Sequence, residues 1–286
     1  MTPATTPRAR TAFVIGGGGV LGASEVGMAK ALAAAGIRPD VVLGTSIGAI
    51  NGAALARDPG PDGVRELEAW WSDEATSAFS SAPLDRLRTM ARTALHTGAG
   101  LRGLLERTFG ETSLEDLAVP FQCCAASIER AAEHWFTDGP LVPAVMASCA
   151  VPGLFPPVLV GEEHYVDGGL VNSIPVSRAV ELGATTVYVL QVGRIERPLT
   201  APTRPWEVAT VAFEIARRHR FARDLADLGD RVDVHVLPTG DERTPLTNLR
   251  YRSTAGAARR IELAHRATSE YLESAAASGT AAGEGI

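Results

Sequence analysis

The sequence predicts an α/β fold in which helices cover both faces of a mostly parallel sheet. A short apolar segment at residues 12–15 ends in four glycines, and a helical segment follows at 25–35. The same order repeats with an apolar segment at 41–43 and a helical segment at 47–57. This alternation of strand, glycine turn and helix is typical of parallel sheets. Further strand-like segments lie at residues 121–126, 134–137, 158–160, 185–191 and 232–237.

Length and composition indicate one large domain. The chain has 286 residues, of which 45% are hydrophobic and 21% charged, as in an ordinary globular protein. We assign residues 11–268 to a single α/β domain and residues 1–10 to a flexible N-terminus. Residues 269–286 become rich in Ala, Gly and Ser, which predicts the end of a helix followed by a disordered tail.

Two helical regions lie outside this alternation. Strand-like segments are absent from about residue 60 to 117, where helical spacing predicts an insertion that serves as a cap over an active site or as outer packing. Residues 206–228 carry apolar side chains at helical intervals with Arg and His at 217–223. One face of that helix either lies at a membrane interface or is exposed to solvent, and its charged residues favour exposure to solvent.

Charge and cysteine content restrict the partners and the compartment. The net charge of −6 offers no basic surface for nucleic acid. Cys123, Cys124 and Cys149 are odd in number and lack zinc-ligand spacing, which favours buried free thiols in a reducing compartment. Neither a signal peptide nor a membrane-spanning stretch is recognisable. We therefore expect a cytoplasmic protein whose contact with membrane, if any, is peripheral. Its oligomeric state is open.

The segment 44–48 reads Gly-Thr-Ser-Ile-Gly and follows a predicted strand. A serine hydroxyl becomes a useful nucleophile only when it is exposed, oriented and next to a base. A sharp turn from strand to helix orients it, and flanking glycines permit that turn. Ser46 is therefore the predicted nucleophile of an acyl hydrolase, the alternative being a serine that only caps the helix.

The glycine-rich segment 16–22 also lies between a strand and a helix. Its backbone N–H groups suit an anion, which in acyl transfer is the tetrahedral oxyanion. The rival interpretation is a nucleotide phosphate loop, since residues 17–22 fit G-x-G-x-x-G. The dinucleotide form expects an acidic residue at the end of the second strand, where this chain has Gly44-Thr45-Ser46. An oxyanion loop of Gly17, Gly18 and Gly19 is favoured.

Asp167 follows Tyr165-Val166, at the end of a predicted strand, and precedes Gly168-Gly169. Most Asp-Gly pairs form turns, so this signal is weak alone. It gains weight because a nucleophile and an oxyanion loop already require a base.

Four blocks in this order resemble the bacterial branch of the patatin-like phospholipases. They are residues 16–22, 44–52, 147–157 and 167–172, which together anchor residues 12–195. The resemblance implies a three-layer α/β sandwich around a mostly parallel sheet. It also implies a catalytic dyad of Ser46 and Asp167, an oxyanion loop at Gly17, Gly18 and Gly19, and no metal or cofactor.

One position departs from the family pattern. The family usually has Arg or Lys directly before the last glycine of its loop, and this chain has Leu21. Backbone amides are the main oxyanion donors in the family, so the departure bears on phospholipid preference more than on hydrolysis. It also motivates the alternative of a lipid-binding or regulatory module with little turnover.

A dyad needs no histidine. His164, three residues before Asp167, is the one histidine whose position in the sequence suits a base. The favoured interpretation is that His164 is an ordinary polar residue on a strand. The resemblance therefore implies a serine esterase of the lipase or phospholipase A type. It would cleave acyl esters of lipids or phospholipids through an acyl-enzyme.

Overall fold

The computed structural model describes residues 10–73, 97–192, 198–203, 205–240 and 256–283. The strands of this part are β1 (Thr11–Ile15), β2 (Val41–Thr45), β3 (Phe121–Ser127), β4 (Ala132–Phe136), β5 (Val158–Val160), β6 (Glu163–Asp167), β7 (Thr186–Leu190) and β8 (Asp233–Val236). Its helices are α1 (Ala23–Ala34), α2 (Ile47–Arg57), α3 (Pro61–Asp73), α4 (Ala99–Phe109), α5 (Leu141–Ser148), α6 (Val176–Glu181), α7 (Pro205–Leu228) and α8 (Ala257–Gly283).

The described strands form one eight-stranded sheet. Its hydrogen-bonded neighbours run β5-β6-β3-β2-β1-β7-β8, and β4 also pairs with β3. The pairs from β3 through β2, β1 and β7 to β8 are parallel, whereas β4, β5 and β6 join antiparallel. The prediction of a mostly parallel sheet is therefore confirmed.

The order of pairing along β3 positions the site. Cys123 and Cys124 pair with both β2 and β4, so these two strands lie on opposite edges of β3. Ala125 pairs with both β4 and β6, so β6 lies on the same edge as β2. Thr45 is opposite Cys124, and Asp167 is opposite the next residue, Ala125. The strands β2 and β6 therefore run in opposite directions along the same edge of β3, and their C-terminal ends meet at this point.

Burial shows the three layers. Phe13 and Ile15 of β1 pack with Val42 into a core that α1–α5 and α8 share. Their neighbours Ala12 and Val14 face a second core that includes residues of α6 and α7. Successive residues of a strand point to opposite faces, so the sheet is buried on both sides. The predicted three-layer sandwich is confirmed.

The predicted insertion contains α3 and α4, with no strand among the described residues between α2 and β3. Residues 74–96 of the predicted insertion lie outside the described residues, as do residues 1–9. The C-terminal segment differs from expectation, because α8 extends to Gly283 and so includes most of the residues predicted to be a disordered tail. Tyr271 and Leu272 of that helix pack against the core.

Candidate active site

Ser46 occupies the turn between β2 and α2, and its backbone is held in an unusual conformation. Its φ is 58° and its ψ is −126°, a region that residues other than glycine seldom adopt and that costs about 1–3 kcal/mol. The helix packs tightly on the strands beside this turn. A Cβ on Gly44 would lie 2.4 Å from the Gly48 carbonyl oxygen, and one on Gly48 would lie 2.3 Å from the Ile15 carbonyl oxygen. The glycines on either side of Ser46 are therefore required.

Side chains from the end of α5 hold the backbone of Ser46. The Ser46 N–H donates to Ser148 Oγ at 2.9 Å, and the Cys149 thiol donates to the Ser46 carbonyl at 3.0 Å. Ser148 Oγ in turn donates to the Cys124 carbonyl at 2.6 Å. Ser148 is fully buried, and it connects the turn at Ser46 to β3. Both backbone polar groups of Ser46 are thus satisfied in a conformation that is otherwise unfavourable.

Asp167 ends β6 and has no exposed surface. Its Oδ1 accepts the Gly169 N–H at 2.7 Å, and its own N–H donates to the Ala150 carbonyl at 2.9 Å. Burial raises the pKa of Asp167 to about 6, against the smaller lowering effects of the Ser46 hydroxyl and the Gly169 N–H. Desolvation disfavours the charged carboxylate, so this carboxyl is a stronger base than an exposed one.

The structure brings Ser46 and Asp167 together. The Ser46 hydroxyl lies beside the carboxyl and lowers its pKa. Asp167 Oδ2 is buried and has no hydrogen-bond partner among the described residues. We interpret this as a loose contact between hydroxyl and carboxyl. Catalytic hydrogen bonds are often long or poorly aligned without substrate and tighten in the complex.

The glycine loop lies beside Ser46. A Cβ on Gly17 would lie 3.3 Å from Ser46 Cβ, so the missing side chain leaves room next to the hydroxyl. The Gly17 N–H, however, donates to the Ser173 carbonyl at 3.2 Å. The N–H groups of Gly18 and Gly19 have no hydrogen bond to the described residues. Of the three glycines predicted to bind an oxyanion, Gly17 therefore has its amide engaged and the other two have theirs available.

The segment after Asp167 links the three parts of the site. The Asn172 carbonyl accepts the Thr45 hydroxyl at 2.9 Å, which ties this segment to β2. The next residue, Ser173, accepts the Gly17 N–H and so ties it to the glycine loop. Nucleophile, base and loop therefore belong to one hydrogen-bonded unit rather than to three independent loops.

A buried polar cluster supports the other end of the glycine loop. Asn51 Nδ2 donates to Glu25 Oε2 at 2.7 Å and to the Gly22 carbonyl at 3.1 Å, and Trp71 Nε1 donates to Asn51 Oδ1 at 2.9 Å. Burial raises the pKa of Glu25 well above its ordinary value. These bonds connect α1, α2 and α3 directly behind the loop. Composition and spacing offered no sign of this cluster.

Histidines do not contribute to the site in the described part of the chain. His164 Nδ1 lies 2.8 Å from Glu129 Oε1, and half of the His164 side chain is exposed. It is an odd number of positions from the buried Asp167, so it points to the other face of β6. Within the described residues, no histidine hydrogen-bonds to Ser46 or Asp167, and no cluster of His, Cys, Asp or Glu is arranged to hold a metal ion. His96 lies outside those residues.

The chain resembles solved structures at low similarity. Against VipD from Legionella pneumophila the TM-score is 0.45 with 15% identity, over 94% of this chain and 68% of that one. Against ExoU in its complex with SpcU from Pseudomonas aeruginosa the TM-score is 0.42 with 16% identity, over 94% of this chain and 52% of that one.

Named relatives are more similar in sequence. The chain is 34% identical over 192 residues to patatin-like phospholipase domain-containing protein 7 of Rattus norvegicus, covering 66% of this chain and 14% of that protein. It is 34% identical over 183 residues to neuropathy target esterase sws of Drosophila melanogaster (63% and 13%), and 33% identical over 184 residues to lysophospholipase nte1 of Aspergillus terreus (64% and 12%). It spans about one seventh of the length of these relatives.

The sequence model of the patatin-like phospholipases matches residues 13–180. This range is more than half of the chain, and it contains the glycine loop, Ser46, Ser148 and Asp167. The chain belongs to the patatin-like phospholipase family.

Proposed function

We propose that the protein is a serine acyl hydrolase that cleaves acyl esters of lipids with Ser46 as nucleophile and Asp167 as base. The observation that carries this proposal is a fully buried carboxyl beside a serine in a strained turn. Burial raises the pKa of that carboxyl to about 6. A base works best when its pKa lies near the working pH, and an ordinary Asp would be too weak.

The reaction proceeds through two acyl transfers. Ser46 Oγ attacks the ester carbonyl carbon while Asp167 takes the hydroxyl proton, and a tetrahedral oxyanion forms. Its collapse breaks the ester bond, Asp167 returns the proton to the leaving alcohol oxygen, and Ser46 carries the acyl group. Water then attacks the acyl-enzyme with its proton taken by Asp167. As this second intermediate collapses, the bond to Ser46 Oγ breaks and Asp167 gives the proton to that oxygen. A fatty acid leaves, and both Ser46 and Asp167 are restored.

Gly18 and Gly19 donate to the oxyanion in this proposal, and Gly17 has a different role. Each oxyanion donor typically contributes about 3–4 kcal/mol of barrier lowering. The available N–H groups of Gly18 and Gly19 suit this task. Gly17 instead leaves the approach to Ser46 open, because any Cβ there would lie 3.3 Å from Ser46 Cβ.

Lipid esters are the proposed substrate class because the family and its named relatives are phospholipases and lysophospholipases. We propose lysophospholipids and phospholipids in particular, with any membrane contact peripheral. None of the described helices is both long and apolar enough to cross a bilayer. The loss of a loop cation at Leu21 favours substrates whose head group needs no charge at this position.

Labelling with a fluorophosphonate tests the nucleophile. The wild-type protein should be labelled at Ser46, and the Ser46→Ala protein should not. Asp167→Asn should lower ester turnover by at least about a hundredfold, since general acid–base catalysis contributes on that order. Asp138→Asn, at an exposed carboxylate, is the matched control and should retain activity.

Two results would contradict the proposal. Folded wild-type protein that resists the probe would exclude Ser46 as an activated nucleophile, and normal turnover by Asp167→Asn would exclude that base. A panel of p-nitrophenyl esters, lysophospholipids and phospholipids then separates substrate classes. A lipid that co-purifies intact, with no ester hydrolysed, would favour the binding module instead.

A further inference from the structure

The tripeptide Ser148-Cys149-Ala150 contacts both members of the proposed dyad. Ser148 Oγ accepts the Ser46 N–H at 2.9 Å, and Cys149 Sγ donates to the Ser46 carbonyl at 3.0 Å. The Ala150 carbonyl accepts the Asp167 N–H at 2.9 Å. These three consecutive residues therefore bind both backbone polar groups of the nucleophile and the backbone N–H of the base.

These contacts converge where β2 and β6 meet. No hydrogen bond within the sheet joins the ends of these strands, since each pairs separately with β3. Ser148 Oγ also donates to the Cys124 carbonyl at 2.6 Å, and Cys124 is the residue of β3 opposite Thr45. The tripeptide thus spans the junction between the ends of β2 and β6. Within the sheet, only their common pairing with β3 fixes the position of one end relative to the other.

We propose that Ser148 and Cys149 are positioning residues that, with the Ala150 carbonyl, set the separation and orientation of the Ser46 hydroxyl and the Asp167 carboxyl. This inference rests on the proposed function. Neither side chain touches the substrate. Ser148 is fully buried and Cys149 is 5% exposed, so both act through the backbone of Ser46.

The physical reason is the strained conformation of Ser46. A positive φ persists at a residue other than glycine only where its surroundings hold it. Removal of the Ser148 hydroxyl leaves a buried N–H without a partner, which favours relaxation of the turn. Because a displacement of 1 Å can cost about a hundredfold in rate, a small relaxation is enough to impair catalysis.

The experiment measures the rate at which a fluorophosphonate labels Ser46 across the pH range, with thermal stability measured in parallel. Ser148→Ala should label about 10- to 100-fold more slowly than wild type at neutral pH. The Ser46 hydroxyl lowers the pKa of Asp167, so a looser contact should move the acid limb of the profile to higher pH. A loss of stability alone would lower the melting temperature without moving that limb.

Two thiols, those of Cys124 and Cys149, interact electrostatically with Asp167. Burial raises the pKa of both well above the ordinary value, so they do not contribute to the acid limb. Neither thiol changes charge near pH 6.

Conservative variants separate positioning from packing. The Ser46 carbonyl also accepts the Ala49 N–H at 2.8 Å, so the Cys149 variants test the added side-chain donor. Cys149→Ser keeps that donor and should label close to the wild-type rate, whereas Cys149→Ala should label several-fold more slowly. Ser127→Ala is the matched control, because Ser127 is buried in β3 and hydrogen-bonds to Glu163 rather than to Ser46. If Ser148→Ala does not fold, the comparison of Cys149→Ser with Cys149→Ala tests the positioning role.

The outcomes are distinguishable. Wild-type protein that is not labelled overturns the proposed function and this inference with it. Wild-type protein that is labelled, with Ser148→Ala or Cys149→Ala labelled at the same rate and with the same acid limb, overturns the positioning role alone. Equal slowing in Cys149→Ala and Cys149→Ser assigns the effect to packing and also overturns it.

Discussion

At the scale of single residues, the site depends on two groups in unfavourable states. Asp167 is a carboxyl without exposed surface, and Ser46 has a backbone conformation that favours glycine. Neither state stabilises the fold. The surrounding hydrogen bonds hold both in place, as expected where function rather than stability has shaped a site.

Asp167 predicts the pH dependence of the reaction. The carboxylate must be ionised to accept a proton, and burial raises its pKa to about 6. Turnover of a soluble ester should therefore rise through pH 6 and level off above it, with a roughly tenfold loss one pH unit below the midpoint. Initial rates between pH 4.5 and 9 measure this. A midpoint near 4 would show that the base is not this buried carboxyl.

The same pKa shift predicts a stability effect. The pKa of Asp167 is about 6 when folded and 3.8 in its unperturbed state, so the fold favours the protonated form. Stability from this group is complete below pH 4 and is lost as pH rises through 6. Asp167→Asn should thus be more stable than wild type at pH 8, by up to about 3 kcal/mol, and equal to it near pH 3.5. Urea unfolding at both pH values measures the difference, and a destabilised variant at pH 8 would contradict it.

The strained backbone of Ser46 predicts that a glycine at this position makes the protein more stable and inactive. Ser46→Gly removes the side chain that makes a φ of 58° costly, and should raise stability by about 1 kcal/mol while abolishing labelling. Ser46→Ala keeps a Cβ and is the control, so it should be inactive without that gain. Thermal unfolding of both proteins decides, and equal stabilities would mean that the turn is not strained.

Residue-level prediction from sequence is possible where a motif is local. Ser46 lies in a recognisable glycine turn, and Asp167 ends a strand before two glycines. The hydrogen bonds of Ser148 and Asn51 arise only from contacts between distant elements, so no spacing rule reveals them. The engaged Gly17 amide is a similar case, because its acceptor is the distant Ser173 carbonyl.

At the scale of elements, the turn between β2 and α2 depends on how closely the helix approaches the sheet. A Cβ on Gly48 would lie 2.3 Å from the Ile15 carbonyl oxygen and 2.6 Å from that of Gly16. Backbone atoms cannot move aside as the end of a flexible side chain can. The start of α2, and with it Ser46, is therefore seated directly against the end of β1.

Substitution of two helical glycines tests this seating. Gly48→Ala should push α2 outward, lower stability by about 1–3 kcal/mol and abolish labelling of Ser46. Gly103→Ala in α4 is the control, since its Cβ would meet only the Arg107 Nη1 atom at 3.6 Å. It should be neutral or up to about 1 kcal/mol more stable, because alanine favours helix more than glycine does. Similar effects from both substitutions would contradict the seating.

Element prediction was accurate where a strand and a glycine turn mark the start of a helix and failed where a short helix is apolar throughout. The predicted bounds of the helix at 47–57 agree with α2, although residues 47–56 are all buried. The helix α5 was missed because Leu141–Ser148 is buried on nearly all sides, so it lacks the alternation of polar and apolar faces that identifies a helix. The strand-rich order around it was still sufficient to predict the fold class.

At the scale of the whole molecule, the last described helix belongs to the domain. Ile261 and Ala264 of α8 are buried in the core that α1 shares. Farther along, Tyr271 Oη lies 3.0 Å from His235 Nδ1 of β8, which joins the helix to the edge of the sheet. Residues 269–286 are rich in Ala and Gly, and this composition predicted disorder. Small residues can form a helix that has no apolar stripe, so the sequence pattern did not indicate the helix.

Truncation separates a packed helix from a free tail. A chain that ends at residue 268 loses Tyr271 and Leu272 and should be less stable by about 1–3 kcal/mol. A chain that ends at residue 283 is the control and should keep the wild-type melting temperature. If both chains melt like wild type, the contacts of α8 beyond residue 268 contribute nothing.

The meeting of β2 and β6 on one edge of β3 has a consequence for the order of folding. Each strand pairs with β3 over a different part of its length, and the two come from opposite ends of a long stretch of chain. Parallel pairing of β2 with β3 is therefore possible before β6 arrives, but Ser46 and Asp167 become neighbours only after both strands have paired. Long-range contacts of this kind form slowly. Ester hydrolysis should thus appear only after both pairings have formed, so it marks the completion of folding rather than its beginning.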